Sequence, residues 1–212
     1  MKDERKNLLK GYNMLLYFAG SMIMDIPTDE CVTDFWLNGR LNQLPVSSSN
    51  PRFIKAAALL RDSCSDKNQC RQMLIEDYFR LFEANGIPLA PAYESLYIKA
   101  ENTPVKITEK VSDFYNSYGW ESRLRGKIPD DHLGIELLFL TRLIDKYILL
   151  DDEPSCCELK KEIIRFTEQH LLSWVSEWNE EIQEHSHNLC YKGIGTLIYA
   201  CIEDLHGIFS RL

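Results

Sequence analysis

Apolar residues recur mostly at helical spacing along this chain, and no Asn-Gly or Asp-Gly turn separates two alternating runs of the kind that form β-hairpins. The clearest segment is the last one, where an apolar stripe at i, i+3, i+4 and i+7 runs from Ile194 to Leu212 and Glu203 and Asp204 lie opposite it. Such a stripe must pack against other helices. Further helices are predicted over Glu4 to Ala19, Pro51 to Cys64, Gln69 to Phe82, Thr108 to Tyr118, His132 to Leu150, Cys156 to Leu171 and Ser173 to His185.

Proline and glycine residues gather between the predicted helices, notably in Gly86 to Pro91 and at Gly126 and Pro129, where a fixed φ or a missing Cβ ends a helix. The longest stretch without a helical pattern runs from Glu83 to Thr103. A long loop in a compact helical domain is often functional. The pattern as a whole predicts an all-α fold, a single helical bundle of about eight to ten helices over residues 1–212.

Composition narrows the class of protein. With 24 basic and 32 acidic residues the net charge is −8, which disfavours nucleic-acid binding because phosphate contacts need clustered Lys and Arg. The seven cysteines include no C-x-x-C pair, so reduced cytosolic thiols are expected. The charged N-terminus lacks the layout of a signal peptide, and no apolar run approaches membrane-spanning length. We therefore expect a cytoplasmic protein that does not insert into membranes.

One acidic residue falls on an apolar helix face. At about 100° per residue, Glu136 lies among the apolar positions of its helix, so its carboxyl group is expected to be buried and hydrogen-bonded. His132, one turn earlier on the same face, is the expected partner. On the residues alone, a structural pair that orders the start of the helix is favoured. The alternative is that Asp131 and His132 point into a site where the helix dipole also acts.

Other candidate chemistry fails on spacing or placement. Two E-x-x-H patterns, Glu184 to His187 and Glu203 to His206, resemble di-iron ligand spacing, but Glu203 and His206 lie away from the apolar stripe that would face a bundle core. Neither a P-loop nor a nucleophile-elbow motif occurs. Trp174 and Trp178, one turn apart, are expected to pack in the core. The sequence predicts no catalytic residue, no metal site and no cofactor.

Two segments together resemble the signature of the TorD/DmsD/NarJ family of redox-enzyme maturation chaperones. The first runs from Tyr78 to Phe82 and continues through a Pro-rich loop to Tyr97, similar to the family's aromatic-x-x-Leu-Phe helix end and its loop closing in Ser-x-aromatic. The second runs from Pro129 to Gly134, similar to the family's Pro-x-Asp-His-x-Gly at the start of a long apolar helix. Their order and their separation by one helix also fit the family.

The resemblance implies a TorD-like chaperone rather than an enzyme. Family members fold as helical bundles, bind the twin-arginine signal peptide of a molybdenum-cofactor enzyme of anaerobic respiration, and hold that enzyme back from export until its cofactor is inserted. The expected partners are thus a signal peptide and the apo form of the enzyme. A homodimer is possible, since some relatives exchange helices. By similarity, the residues that line or shape the peptide site are Tyr78, Leu81, Pro88, Pro91, Tyr93, Ser95, Tyr97, Pro129, Asp130, Asp131 and His132.

Physical chemistry gives this site a specific expected geometry. A signal peptide offers two arginines followed by an apolar run, so its receptor needs carboxylates beside an apolar groove. Asp130, Asp131 and Glu94 could supply the carboxylates, and Tyr93, Leu96 and Tyr97 the groove. We therefore predict that the loop from Pro88 to Tyr97 lies against the turn from Pro129 to His132. The alternative for Asp131 is a cap on the helix that follows it. Two other classes remain open, a helical metal-dependent hydrolase and a non-catalytic helical scaffold.

Overall fold

The computed structural model describes residues 2–64, 66–83, 87–98 and 104–211. Within these ranges the chain forms α-helices and no β-strand, which confirms the all-α class. The helices are α1 (Lys2–Met24), α2 (Asp29–Val32), α3 (Pro51–Asp62), α4 (Lys67–Tyr78), α5 (Glu94–Tyr97), α6 (Pro104–Ser117), α7 (Leu133–Leu149), α8 (Glu153–Phe166), α9 (Val175–His185) and α10 (Leu189–Arg211).

Short non-α turns extend three of these helices. Wider π-helical turns follow α2, α4 and α8, at Thr33–Leu37, Phe79–Glu83 and Thr167–Leu171, and a 3₁₀ turn spans Arg40–Asn42. Turns of π geometry inside longer helices often occur at functional sites. The last two π-helical turns carry Leu81 and His170, which both contribute to the region described below.

Polar side chains cap several helices at their starts. The side chains of Asn50, Asp66 and Asp152 each accept a hydrogen bond from a backbone N–H of the first turn of α3, α4 and α8. Each cap satisfies a donor that the helix itself cannot pair. Because each cap fixes the residue at which its helix begins, the observed helices start close to their predicted starts.

Some predicted boundaries were wrong. The first helix continues past Ala19 to Met24, and α6 begins at Pro104 instead of Thr108. The stretch from Glu83 to Thr103, predicted to lack helix, contains the four-residue helix α5. The π turn after α4 also reaches Glu83.

Helix α10 lies at the centre of the bundle. It packs against α1, α3 and α9, and α1 also packs against α7. Both α7 and α10 bury most of their residues, so each is apolar over much of its circumference. Trp174 and Trp178 are almost completely buried, as predicted.

A buried carboxylate fixes the end of α4. Asp77 accepts hydrogen bonds from the Ser186 hydroxyl at 2.7 Å and from the backbone N–H groups of His187 and Asn188 at 2.9 and 3.1 Å. These bonds hold α4 to the connection between α9 and α10. The π turn that follows α4 therefore starts from a rigid position.

The expectation that every thiol is reduced was wrong at one pair. Cys64 and Cys70 form a disulfide between the end of α3 and the start of α4. Their spacing of six residues is no recognised motif, and the short connection brings their Cα atoms to 5.6 Å from each other. The free cysteines in the described ranges are Cys31, Cys156, Cys157, Cys190 and Cys201.

Across the described ranges, none of the helices combines the length and apolar character needed to cross a membrane.

Candidate functional site

The loop after α4 and the turn before α7 lie side by side. Tyr93 and His132 form an antiparallel bridge, and the Leu133 N–H donates to the Ala92 carbonyl at 2.8 Å. The Glu94 N–H donates to the Asp131 carbonyl at 3.0 Å. The predicted contact between Pro88–Tyr97 and Pro129–His132 is confirmed. We call this pairing the loop–turn junction.

Asp131 is a buried internal link within the junction. Its two carboxylate oxygens accept hydrogen bonds from the Ser95 N–H at 3.2 Å and from the Thr108 hydroxyl at 3.0 Å. Asp131 therefore caps α5 and ties it to α6. A cap on α7, one of the two roles considered from sequence, does not match this geometry.

His132 supplies the cap that Asp131 does not. Its Nδ1 accepts a hydrogen bond from the Gly134 N–H at 3.0 Å, and the Tyr93 ring meets the imidazole edge-on with centroids 5.0 Å apart. Burial lowers the pKa of His132 to about 4, since a charged imidazole would lose its hydration. His132 is therefore neutral at pH 7, which an acceptor at Nδ1 requires.

Glu136 is buried as predicted, with its side chain 0% exposed, but His132 is not its partner. No conventional hydrogen-bond donor lies against its carboxyl oxygens among the described residues, while Glu94 and Trp174 interact with it closely enough to shift its pKa. His132 instead uses its Nδ1 for the helix cap. Burial, and then the nearby Glu94 carboxylate, raise the pKa of Glu136 well above its usual value. Glu136 is therefore held in its neutral form.

Glu94 and His170 complete a buried group around Glu136. Both side chains are nearly inaccessible, and the His170 Nδ1 lies 3.1 and 3.3 Å from the two Glu94 carboxylate oxygens. Glu94 belongs to α5, Glu136 to α7 and His170 to the π turn after α8. We call these three residues the buried carboxyl cluster.

A cleft of about 580 Å³ opens beside this cluster. Glu94 and His170 form part of its wall, together with Phe114 of α6 and Arg165 of α8. The Arg165 guanidinium stacks over the Phe114 ring at 4.3 Å from the centroid. Sequence reasoning identified neither this cleft nor His170 as part of the site, because Glu94 and His170 are 76 positions apart.

The exposed residues of the loop are apolar. Along residues 87–98, Ile87, Leu89 and Leu96 expose 89%, 38% and 55% of their surface. Tyr97 stacks on Trp174 with ring centroids 5.3 Å apart, so it is held beside the core. Exposed apolar side chains in one short segment are typical of interaction sites.

The predicted site residues separate into a buried set and a surface set. Leu81 is fully buried, and its carbonyl accepts from the Ala90 N–H at 2.9 Å. Tyr78 is also buried, and its hydroxyl donates to Glu83 at 3.2 Å. Asp130 belongs to the surface set, although its carboxylate accepts a hydrogen bond from the Ser112 hydroxyl at 2.6 Å. Residues with an exposed or half-buried surface are Pro88, Pro91, Tyr93, Ser95, Tyr97, Pro129 and Asp130.

The E-x-x-H residues of the last helix make ordinary surface contacts. Glu203 pairs with Arg52 at 3.0 Å, and the His206 Nε2 lies 2.8 Å from a Glu168 oxygen. In the part of the chain that the structure describes, no group of three or more acidic, His or Cys side chains is arranged to hold a metal ion.

The fold is an all-α bundle whose loop–turn junction carries exposed apolar side chains. A family model described as "nitrate reductase delta subunit" matches residues 50–180, more than half of the chain. The chain therefore belongs to this TorD-like family, and the resemblance seen in the sequence is confirmed.

Two curated relatives are each described as "Chaperone protein TorD". The one from Vibrio parahaemolyticus is 26% identical over 136 residues, which cover 64% of this chain and 63% of the relative. The one from Aliivibrio salmonicida is 27% identical over 112 residues, or 52% of each chain. The similarity thus spans between half and two-thirds of these relatives.

Proposed function

We propose that this protein is a cytoplasmic, non-enzymatic chaperone of redox-enzyme maturation that binds a twin-arginine signal peptide at the loop–turn junction. The client would be the apo form of a molybdenum-cofactor oxidoreductase of anaerobic respiration, held back from export while it folds and receives its cofactor. The whole chain, residues 1–212, would act as a single domain without a cofactor of its own.

The observation that carries this proposal is the loop–turn junction itself. Two segments about forty positions apart, each matching part of the family signature, are joined by backbone hydrogen bonds. The loop presents Ile87, Leu89 and Leu96 outward, and these side chains suit the apolar run of a signal peptide. Family membership and the names of the curated relatives support the same function.

Within this proposal the two sets of site residues have different roles. The surface set, which includes Tyr93, Tyr97 and Pro129, would contact the peptide. The buried set, including Leu81, Asp131 and His132, would hold the loop and the turn in place. The proposal does not require that any buried residue touch the peptide.

A peptide titration tests the proposal. A synthetic peptide with two adjacent arginines followed by an apolar run is titrated into the protein and followed by calorimetry. Leu96→Asp, at a 55% exposed position of the loop, should weaken binding at least tenfold, about 1.4 kcal/mol, because it places a charge in the apolar surface.

Leu149→Asp is the matched control, since Leu149 is 78% exposed and lies at the far end of α7 from the junction. It should bind the peptide like wild type. Equal affinity of both variants would remove the loop from the binding surface, and absence of binding by the wild-type protein would refute the proposed function.

A further inference from the structure

A second cleft, separate from the loop–turn junction, lies between α1 and α8 and has a volume of about 480 Å³. Its walls come from the start of α1, the end of α7 and the first turns of α8. Two free cysteines of α8, Cys156 and Cys157, belong to these walls. Clefts of a few hundred Å³ hold small molecules in many proteins. This cleft therefore has room for a small molecule beside a thiol.

The two cleft cysteines are the free thiols that a reagent in solution reaches most easily. Cys157 is exposed and Cys156 is half-buried, whereas Cys190 and Cys201 are buried. Cys31 is also half-buried, but burial raises its pKa to about 11. Because the thiolate is the reactive form, Cys31 is nearly inert at pH 7. Reaction with a reagent is thus expected at the cleft.

Cys156 and Cys157 cannot form a disulfide with each other inside α8. The Cα atoms of adjacent residues are about 3.8 Å apart, which is shorter than the usual span of a disulfide. Their side chains also point about 100° apart around the helix axis. A disulfide between one of them and a small thiol is therefore not displaced by the other.

Basic side chains lie beside Cys156 in this cleft. Lys160 follows one turn later on the same face of α8, and Lys6 lines the cleft from α1. Both lysines are half-buried, whereas the two carboxylates that line the cleft, Asp151 and Glu153, are exposed and more strongly screened by water. The half-buried charge beside Cys156 is thus positive, although the whole chain has a net charge of −8.

Tyr147 of α7 forms the wall of the cleft next to Cys156. Its ring meets Phe209 edge-on with centroids 5.1 Å apart, which fixes its position. Burial raises the pKa of Tyr147, a charged Cys156 raises it further, and Arg5 lowers it. Cys156 and Arg5 therefore both lie close enough to Tyr147 for their charges to act on it, and Arg5 adds a third cation to the cleft.

We propose that Cys156 is a site of reversible modification by an acidic low-molecular-weight disulfide, which Lys6 and Lys160 attract into the cleft. The Cys156 thiolate attacks one sulfur of the reagent, a protein–reagent S–S bond forms, and the S–S bond of the reagent breaks. The Cys156 proton goes to water, and the released thiolate takes one up. The thiol of Cys156 is oxidised and the reagent is reduced. This site does not depend on the proposed chaperone function.

A comparison of an acidic with a neutral disulfide tests this assignment. The protein is incubated at about pH 8 with glutathione disulfide or with 2-hydroxyethyl disulfide, and tandem mass spectrometry locates each adduct and follows its formation. Each rate is divided by the rate of the same reagent with a small thiol in solution, which removes intrinsic reactivity. Cys156 should then favour glutathione disulfide at least about threefold, because its half-buried neighbours are cations.

The double variant Lys6→Gln/Lys160→Gln should lose this preference. Lys10→Gln/Lys161→Gln is the matched control, since it removes the same charge from exposed positions of α1 and α8 that do not line the cleft. The control should keep the preference, and circular dichroism checks that both variants are folded. Wild type in about 1 M salt should lose the preference as well, which tests the role of charge without a substitution.

A preference for glutathione disulfide at Cys156 that high salt and the cleft variant remove, and that the control keeps, supports the assignment. The assignment is overturned if the more exposed Cys157 carries the adduct in place of Cys156. It is also overturned if wild type shows no preference for the acidic reagent, if high salt leaves the preference unchanged, or if the cleft variant discriminates like its control.

Discussion

Replacing Asp131 tests whether the loop–turn junction is held together from inside. In Asp131→Ala the Ser95 N–H loses its acceptor, while the Thr108 hydroxyl can turn to the Pro104 carbonyl, which lies 3.2 Å away. One orphaned backbone donor and one weakened bond should lower the free energy of unfolding by about 2 kcal/mol. The helix α5 would also lose its cap.

Asp131→Asn should be much milder, because its amide can reproduce both contacts. Its Oδ1 can accept from the Ser95 N–H, and its Nδ2 can donate to the Thr108 hydroxyl oxygen. The expected loss is under about 1 kcal/mol. Charge is removed in both variants, so their difference isolates the hydrogen bonds.

Urea unfolding at pH 7, followed by circular dichroism, gives the two free energies. Asp113→Ala serves as control, since this exposed acidic residue lies on the same helix as Thr108 and should change stability by less than about 0.5 kcal/mol. The reasoning is refuted if Asn costs as much as Ala, or if Ala costs no more than the control.

Three further predictions concern ionisation and the disulfide. The pKa of His132 is about 4 in the folded protein and about 6.5 in the unfolded chain. As pH falls, the unfolded chain therefore binds the proton first, and up to about 3 kcal/mol of stability should be lost between pH 6.5 and pH 4. Urea unfolding across this range should show a flatter profile for His132→Asn, which can still cap α7; an unchanged slope would contradict the assignment. The stability that depends on Glu136 changes with pH in the opposite direction, because its raised folded pKa favours the protonated form. Glu136→Gln should therefore gain stability over wild type as pH rises above 4.5. A difference that stays constant with pH would count against a buried neutral carboxyl group. Reduction of the Cys64–Cys70 disulfide should lower the free energy of unfolding by about 2 kcal/mol, since the loop it closes is short. Dithiothreitol should therefore destabilise the wild-type protein in an unfolding experiment but leave Cys70→Ser unchanged.

The elements that could be predicted from sequence are those with long periodic patterns or a paired motif. The apolar positions of α10 and α7 predicted which side of each helix faces the core, and the pattern of α7 therefore predicted that Glu136 is buried. The contact between the loop and the turn was predicted because the two segments share a family signature. The backbone hydrogen bonds that confirm this contact could not be predicted from the spacing of apolar residues.

What the sequence did not show depends on contacts between distant or very short segments. Four residues are too few to display a helical period, so α5 was missed. The partner of Glu94 is His170, and nothing local to either residue indicates the other. Asp131 precedes α7 and carries a good capping side chain, yet the fold turns it toward α5 and leaves the cap to His132.

Titration of the ¹⁵N-labelled protein with the twin-arginine peptide, followed by NMR, reports both whether the peptide binds and where it binds. Peptide binding at the loop–turn junction predicts saturable changes in the backbone amides of residues 87–98 and 129–133. It is contradicted if no amide responds to a large excess of peptide. It is equally contradicted if the changes are confined to the separate cleft between α1 and α8, which Arg5 and Cys156 line.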